Sequence, residues 1–212
     1  MRKIIFPLFI AAIMIAACND KKQNAAKDVV AEPRTPEVVV AQDPAKDSAE
    51  IKKVITDFYN WYNKNYTKFQ EYDLYNGIKK KDMPPYKINW DQVTKYQDFI
   101  RTSVPQLGET FITNQKKFLQ ECDSAFKIDV KDEMPYGFDW DWYTNSQEEP
   151  QYLLDEMNKP TSSWDIAVIG DAANVNIGGF NDHAGKQERI TFITLAMKKE
   201  NGQWKIAKIG TE

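Results

Sequence analysis

The side chains best suited to chemistry lie in one short stretch, in which two aspartates alternate with two tryptophans. They are Asp139, Trp140, Asp141 and Trp142, and Tyr136 comes shortly before them. Carboxylates accept hydrogen bonds and bind cations through hard oxygen atoms, and aromatic rings give flat surfaces for a sugar or another polar ligand. The pattern predicts a ligand-binding loop. The alternative is a structural loop whose tryptophans close the open end of a sheet.

Two enzymatic interpretations are less well supported. Hydrolysis by two carboxylates needs them to face each other across a cleft, about 5 to 9 Å apart, which neighbours such as Asp139 and Asp141 rarely do. A cysteine–histidine nucleophile pair requires Cys122 and His183, the single histidine of the chain. Cys122 falls on the apolar face of a predicted helix and His183 in a glycine-flanked turn. We therefore expect no catalytic residue, no metal site and no cofactor.

A second reactive feature is Cys18, which follows an apolar N-terminal segment. Arg2 and Lys3 precede an uncharged run over residues 4–17. This run is shorter than the roughly 20 residues that a membrane-spanning helix needs, and a basic start with a short apolar core is typical of a signal peptide. The tetrapeptide at 15–18, isoleucine, two alanines and cysteine, resembles the bacterial lipobox. That resemblance implies cleavage after residue 17 and a diacylglycerol anchor on Cys18, and two acyl chains anchor a protein stably.

The resemblance also indicates a compartment. Asn19 stands where an aspartate favours retention in the inner membrane, so we expect attachment to the outer membrane of a Gram-negative cell envelope. An ordinary signal peptide that contains a cysteine is the alternative. With Cys18 lipidated, Cys122 has no cysteine with which to form an internal disulfide.

Composition excludes one class of partner and divides the chain. Acidic residues outnumber basic ones, 31 to 28, whereas nucleic-acid binding needs concentrated positive charge. Residues 18–46 contain three prolines and no aromatic residue, so they cannot bury enough surface to fold. We predict a signal peptide at 1–17, the lipidated cysteine with a disordered linker at 18–46, and a folded domain at 47–212.

The first half of this domain has helical spacing. Apolar residues recur every three or four positions over 48–68, and Asp47 is the expected N-terminal cap. Trp61 and Tyr62 lie on the same helix. Residues 70–90 look irregular because Asn-Gly and Pro-Pro pairs interrupt them, and a second helical region begins near Asp91.

The last third alternates as strands do, and we predict four of them at 164–169, 173–178, 190–198 and 203–209. Asn201 and Gly202 indicate a two-residue hairpin between the last two strands. Pairing across it places Met197 opposite Ile206 and Lys199 opposite Trp204, on a buried face. The segment 178–185 is predicted to be a turn.

N-terminal helices followed by an antiparallel sheet of about four strands predict an α+β fold. The chain resembles the NTF2-like (cystatin-like) fold, and more narrowly a domain of unknown function found in bacterial lipoproteins, in which a curved sheet packs on the helices. The residues that carry the resemblance are Phe58, Tyr59, Trp61 and Tyr62, Phe138, Asp139 and Asp141 leading to Gln147 and Glu148, and Trp204, Lys205, Ile206 and Ile209. It implies no catalytic residue.

Together these patterns favour a non-catalytic binding module anchored to a membrane through Cys18. Its pocket is expected between the first helix and the sheet, with Trp61 and Tyr62 as lining residues and the loop 136–142 at the rim. Its ligand is a small molecule or a glycan. A protein-interaction factor, such as an immunity or assembly protein, is the first alternative, and a hydrolase the second. Nucleic acid is not an expected partner.

Overall fold

Four helices precede the main sheet in a computed structural model that describes residues 43–77, 83–131, 133–183 and 186–210. The elements of these ranges are α1 Pro44–Asn65, a 3₁₀ helix Tyr66–Glu71, β1 Tyr75–Gly77, β2 Tyr86–Ile88, α2 Trp90–Ser103, α3 Glu109–Ile128, α4 Pro150–Asn158, β3 Ser163–Ile169, β4 Ala172–His183, β5 Lys186–Glu200 and β6 Gln203–Ile209. The predicted α+β class is confirmed, with helices before an antiparallel four-stranded sheet. The predicted signal peptide, Cys18 and most of the predicted linker lie outside the described residues.

Helix α1 begins earlier than its sequence pattern suggested. The Asp43 carboxylate caps it by accepting hydrogen bonds from the backbone N–H groups of Ala45 (3.1 Å) and Lys46 (3.3 Å). Pro44 occupies the first helical position, where its missing N–H costs nothing. Asp47 as the cap was therefore a wrong prediction, and the last residues of the predicted linker are helical.

Asp47 instead joins α1 to the sheet. Its carboxylate is buried and accepts hydrogen bonds from the Trp204 indole N–H at 2.9 Å and from the Lys199 ammonium at 2.7 Å. The Lys199 and Trp204 hydrogen bonds lower the pKa of Asp47. The start of α1 is thus fixed to the β5–β6 hairpin.

The hydrophobic core lies between α1 and the sheet. Ile51, Ile55 and Phe58 of α1 are fully buried, as are Val175 and Leu195 of the sheet. Each such side chain stabilises the fold by about 1.5–3 kcal/mol relative to an exposed one. Helix α1 packs against β3 and β6, α3 against β6, and α4 against β4. The apolar periodicity of α1 therefore identified its buried face correctly.

The sheet has the strand order β3-β4-β5-β6, with every neighbouring pair antiparallel. The predicted hairpin register is confirmed, because Met197 pairs with Ile206 and Lys199 with Trp204. The turn residue Gly202 has a φ of 76° and the preceding asparagine one of 53°, as a two-residue hairpin turn with two positive φ angles requires.

The predicted turn at 178–185 was wrong over most of its length. Strand β4 continues through Gly178 and Gly179 to His183, and its register against β5 shifts between Ile177 and Gly178. A Cβ atom on Gly178 would lie 2.1 Å from the Ile190 carbonyl oxygen. The glycine accommodates a bulge with close strand approach, which is a role of glycine within strands.

Three further elements differ from the prediction. The cap of α2 is Asn89, whose side chain accepts from Gln92 N–H at 3.4 Å, and not Asp91. The segment expected to be irregular contains the 3₁₀ helix and the β1–β2 pair. Helix α4 was not predicted, although Pro150 at its start and its buried leucines are typical helix signals. No helix within the described ranges is long and apolar enough to cross a membrane.

Candidate functional site

A cleft of about 620 Å³ opens at the C-terminal end of α1. One wall is the segment 66–75, and the other is the loop 138–150, here called the acidic loop. Tyr62 of α1 and Tyr96 of α2 also line it, whereas none of its described lining residues belongs to the four-stranded sheet. The cleft therefore lies elsewhere than the expected helix–sheet pocket, because apolar side chains fill the space between α1 and the sheet.

Aromatic and acidic side chains dominate the lining of this cleft. The aromatic residues are Tyr62, Tyr66, Phe69, Tyr72, Tyr75, Tyr96, Phe138, Trp140, Trp142 and Tyr143. The acidic residues are Asp73, Asp139, Asp141, Glu148 and Glu149, and the described lining includes no lysine, arginine or histidine. The cleft thus combines flat apolar surfaces with net negative charge.

Asp141 shapes the acidic loop. Its Oδ1 accepts hydrogen bonds from the backbone N–H groups of Tyr143 at 2.7 Å and Thr144 at 3.2 Å, an arrangement by which aspartate stabilises turns. Its Oδ2 accepts a hydrogen bond from the Tyr62 hydroxyl at 2.6 Å. Both carboxylate oxygens are therefore engaged in holding the loop against α1.

Buried tyrosines form the floor of the cleft beneath Asp141. The Tyr59 hydroxyl donates to the Tyr143 carbonyl oxygen at 2.9 Å, and the Tyr96 and Tyr143 hydroxyls lie 2.6 Å apart. The Gln115 amide donates to the Tyr143 hydroxyl at 3.3 Å. Burial raises the pKa of Tyr59, Tyr96 and Tyr143, and burial with the nearby Asp141 charge raises that of Tyr62. These hydroxyls therefore stay protonated at neutral pH.

Ring contacts hold this floor rigid. The Tyr62 ring centroid lies 4.9 Å from that of Tyr143 and 5.2 Å from that of Phe69, and Phe69 lies 4.6 Å from Tyr143. Tilted and edge-on aromatic pairs at these distances add stability beyond the area they bury.

Trp142 anchors the other end of the acidic loop. Its indole N–H donates to the Gly137 carbonyl oxygen at 2.6 Å, and its ring lies 5.1 Å from Phe138 and 5.5 Å from Phe118. The half-buried ring is therefore held by α3 and by the loop itself, and only part of it faces the cleft.

The exposed rim of the cleft carries Asp139, Trp140 and Glu148, and Trp140 is 39% exposed. Glu149 accepts a hydrogen bond from the Tyr66 hydroxyl, which raises the Tyr66 pKa. This contact joins the two walls. The rim side chains are among the solvent-exposed residues of the acidic loop that line the cleft.

Five of the seven predicted binding residues line the cleft, namely Tyr62 and the stretch 139–142. Trp61 does not line it, since its half-buried ring packs edge-on against Phe69 at 5.8 Å. Tyr136 lies outside the lining and is 53% exposed. The structure thus separates the loop into anchoring residues, Asp141 and Trp142, and rim residues.

The sequence analysis did not predict the wall of the cleft formed by the segment 66–75. Tyr66, Tyr72, Asp73 and Tyr75 line the cleft, but their segment has no regular period. Its density of aromatic residues was the available signal, because so many rings in a short polar segment indicate a contact surface.

The other enzymatic hypothesis was a nucleophile pair of Cys122 and His183. Cys122 is fully buried, and burial raises the pKa of its thiol to about 12. A thiol that is buried and protonated is not a nucleophile at neutral pH. Among the described residues, no three histidine, cysteine, aspartate or glutamate side chains come together as metal ligands.

No protein-family model, curated protein or solved structure matches the chain. The resemblance to NTF2-like lipoprotein domains stays a prediction.

Proposed function

We propose that the protein is a lipid-anchored, non-catalytic binding protein of the cell envelope that holds a small polar ligand in the cleft between the segment 66–75 and the acidic loop. The observation that carries this proposal is the cleft of about 620 Å³ with aromatic walls and a carboxylate rim. Its volume falls within the range of about 300–1,000 Å³ that is usual for small-molecule sites.

Binding is favoured over catalysis by the state of the polar groups. Asp141 is committed to two backbone N–H groups and to Tyr62. The floor tyrosines have raised pKa values, so they act as hydrogen-bonding groups and do not serve as bases at neutral pH. A rigid floor beneath an exposed rim is the arrangement of a preformed binding site.

Titration calorimetry of the purified full chain tests this function, with cell-wall sugars and small organic cations as the ligand panel. Saturable heat is expected with at least one class. The Trp140→Ala variant should weaken binding, whereas Phe180→Ala, which removes an exposed ring outside the cleft lining, should not. No heat with any ligand, or equal effects of the two variants, would contradict the proposal.

The anchor rests on sequence alone. The basic start, the apolar segment and the small residues before Cys18 support export and lipidation, and Asn19 supports attachment to the outer membrane of a Gram-negative cell. We expect Cys18 to incorporate labelled palmitate in a bacterial host and the protein to fractionate with outer membranes. The Cys18→Ser variant should lose the label. A labelled Cys18→Ser variant would disprove the assignment.

Membership of the NTF2-like family is part of the same proposal. The order of helices and strands and the packing of α1 on the sheet support it. An experimental structure with a homologue search based on it is the appropriate test.

A protein-interaction role is the second candidate, and one surface favours it. Ile128 ends α3, and Val130, Met134 and Tyr136 follow it closely along the chain. All four are exposed, Ile128 by 86%. Exposed apolar groups of this kind mark binding surfaces. A partner captured from envelope extract by the unmodified chain, and lost with Ile128→Ser and Met134→Ser, would support this role.

A further inference from the structure

The cleft lining carries one sign of charge. The described lining contains five acidic residues, Asp73, Asp139, Asp141, Glu148 and Glu149, and no lysine, arginine or histidine. A concave site lined by one sign of charge concentrates ions of the opposite sign. A ligand that carries a carboxylate or phosphate is disfavoured here, and a cation is favoured.

Several acidic side chains outside the cleft form ion pairs within the protein itself. Asp123, for example, lies 2.6 Å from Lys127. Across the described ranges, neither Asp139 nor Glu148 has a lysine or arginine partner. Since both are exposed at the rim, their charge is available to a bound molecule.

The carboxylates are distributed along the cleft and do not converge on one point. Asp73 belongs to one wall, and Asp139 and Glu148 belong to the other. Within the described residues no three of them are placed to hold a metal ion. Distributed charge suits an extended organic cation better than a single metal ion.

The aromatic walls complete the match. Rings such as Tyr72, Phe138 and Trp140 attract cationic groups through their faces and pack against aliphatic carbons. An ammonium group has hydrogen-bond donors and no acceptor, which complements a rim of carboxylate acceptors. A neutral sugar would need donors from the protein as well.

We propose that the cleft binds an alkylammonium compound, with its aliphatic carbons on the aromatic rings and its ammonium groups at Asp139 and Glu148. This inference rests on the binding role proposed above and specifies the class of ligand. A linear polyamine places its ammonium groups along the carboxylates of the acidic loop. A quaternary ammonium compound, which has no N–H donor, packs its methyl groups on the rings with its charge near the same carboxylates.

Calorimetry of the purified full chain with four probes tests the inference: spermidine, choline, 3,3-dimethylbutan-1-ol and N-acetylglucosamine. The alcohol is the neutral isostere of choline. Spermidine or choline should bind at least about ten-fold more tightly than the alcohol, since the latter lacks the cation–ring attraction. Affinity should fall when salt is raised from about 0.05 M to about 0.5 M, because salt screens exposed charges.

The outcomes separate this inference from the proposed function. If the sugar binds and neither cation does, or if the alcohol binds as tightly as both spermidine and choline, the ligand class is overturned while the cleft remains a binding site. If none of the four probes binds, the inference is overturned and the proposed function loses its support as well.

Two variants test whether the cation binds in the cleft. Glu148→Gln should weaken spermidine binding by about two- to five-fold, as expected for one exposed ion pair. Trp140→Leu should weaken it by about three- to thirty-fold. The matched control is Glu50→Gln, an exposed residue of α1 about 18 Å from Tyr62 along the helix. Equal affinities of all three variants would overturn the proposal.

Discussion

At its N-terminal end α1 presents Asp47 to the sheet, and at its C-terminal end Tyr62 meets Asp141 of the acidic loop. Asp47 is buried and lies 2.7 Å from the Lys199 ammonium group. Asp141 is paired with a tyrosine hydroxyl and two backbone N–H groups, and no lysine or arginine among the described residues neutralises it. The same helix thus has a neutralised carboxylate near its N-terminal end and an acidic cleft at its C-terminal end.

The difference separates carboxylates that stabilise the fold from carboxylates that stay exposed, to which we assign the proposed ligand. A buried charge needs an opposite charge or several hydrogen bonds to offset its loss of hydration, and Asp47 and Asp141 both have such partners. Asp139 and Glu148 are exposed and have no need of them. Four predictions test this comparison, from the largest expected effect to the smallest.

The strongest test removes a buried ring of α1 that packs against the tyrosines beneath the cleft. Phe58→Ala should lower the free energy of unfolding by about 3–5 kcal/mol, because its ring is fully buried and contacts Tyr59, Tyr62 and Tyr143. Urea unfolding measures this change. The control Phe180→Ala removes a ring that is 51% exposed and should change stability by less than about 0.5 kcal/mol. Similar losses of unfolding free energy in the two variants would contradict a stabilising role of the Phe58 ring in this packing.

The second test removes one hydroxyl from the floor of the cleft. Tyr143→Phe should cost about 1–3 kcal/mol, because it removes the hydroxyl that the buried Tyr96 hydroxyl and Gln115 amide contact and leaves these two groups only their 3.5 Å hydrogen bond to each other. Tyr136→Phe, at an exposed position, is the matched control and should be neutral in the same unfolding measurement. A neutral Tyr143→Phe variant would mean that the network contributes little.

The third test compares two aspartates of one loop. Asp141→Ala should cost about 1–2 kcal/mol because three hydrogen bonds are lost at a half-buried site. Asp139→Ala should change stability by less than about 0.5 kcal/mol, since its carboxylate is exposed. Thermal unfolding of both variants decides the matter, and equal destabilisation would refute the division between anchoring and rim residues.

The smallest effect concerns pH. The pKa of Asp47 is lowered by its hydrogen bonds to Lys199 and Trp204. Its stabilising contribution is therefore complete above the unfolded pKa, near 4, and is lost as the pH falls through the lower folded value. Urea midpoints measured from pH 7 to about pH 3 should decline less in Asp47→Asn than in the unmodified protein.

The matched control for the pH test is Asp57→Asn, which removes an acid from an exposed pair with Lys53. It should leave the decline between pH 7 and about pH 3 nearly unchanged, because exposed pairs contribute little. An equally shallow decline in both variants would argue against a special role of Asp47.

The parts of the fold that follow from local pattern were predictable. The apolar period identified the buried face of α1, and alternation with an Asn-Gly pair identified the β5–β6 register residue by residue. Caps were less predictable, because Asp43 and Asp47 are both suitable and only the position of Trp204 and Lys199 decides between them. Gly178 was wrongly assigned to a turn because its bulge depends on contact with the distant strand β5, which no local pattern shows.

Of the two walls of the candidate site, one was predictable from the sequence. The acidic loop was identified because carboxylates next to tryptophans suggest recognition wherever they lie. The wall at 66–75 was not, since its residues acquire a role only when the chain folds back beside the acidic loop. Trp61 and Tyr62 show the limit of prediction from residue type. Neighbours on a helix face different directions, and of these two only Tyr62 lines the cleft.

By itself the sequence determined the α+β order, the sheet register at its last hairpin and the residue types of the acidic loop. These depend on short-range periodicity and on side-chain chemistry, which are written locally in the chain. The tertiary structure decided where the cleft lies, which carboxylates are used for the fold and which stay exposed. Those properties depend on contacts between distant segments, such as Tyr62 with Asp141 and Asp47 with Lys199, and no local pattern encodes them.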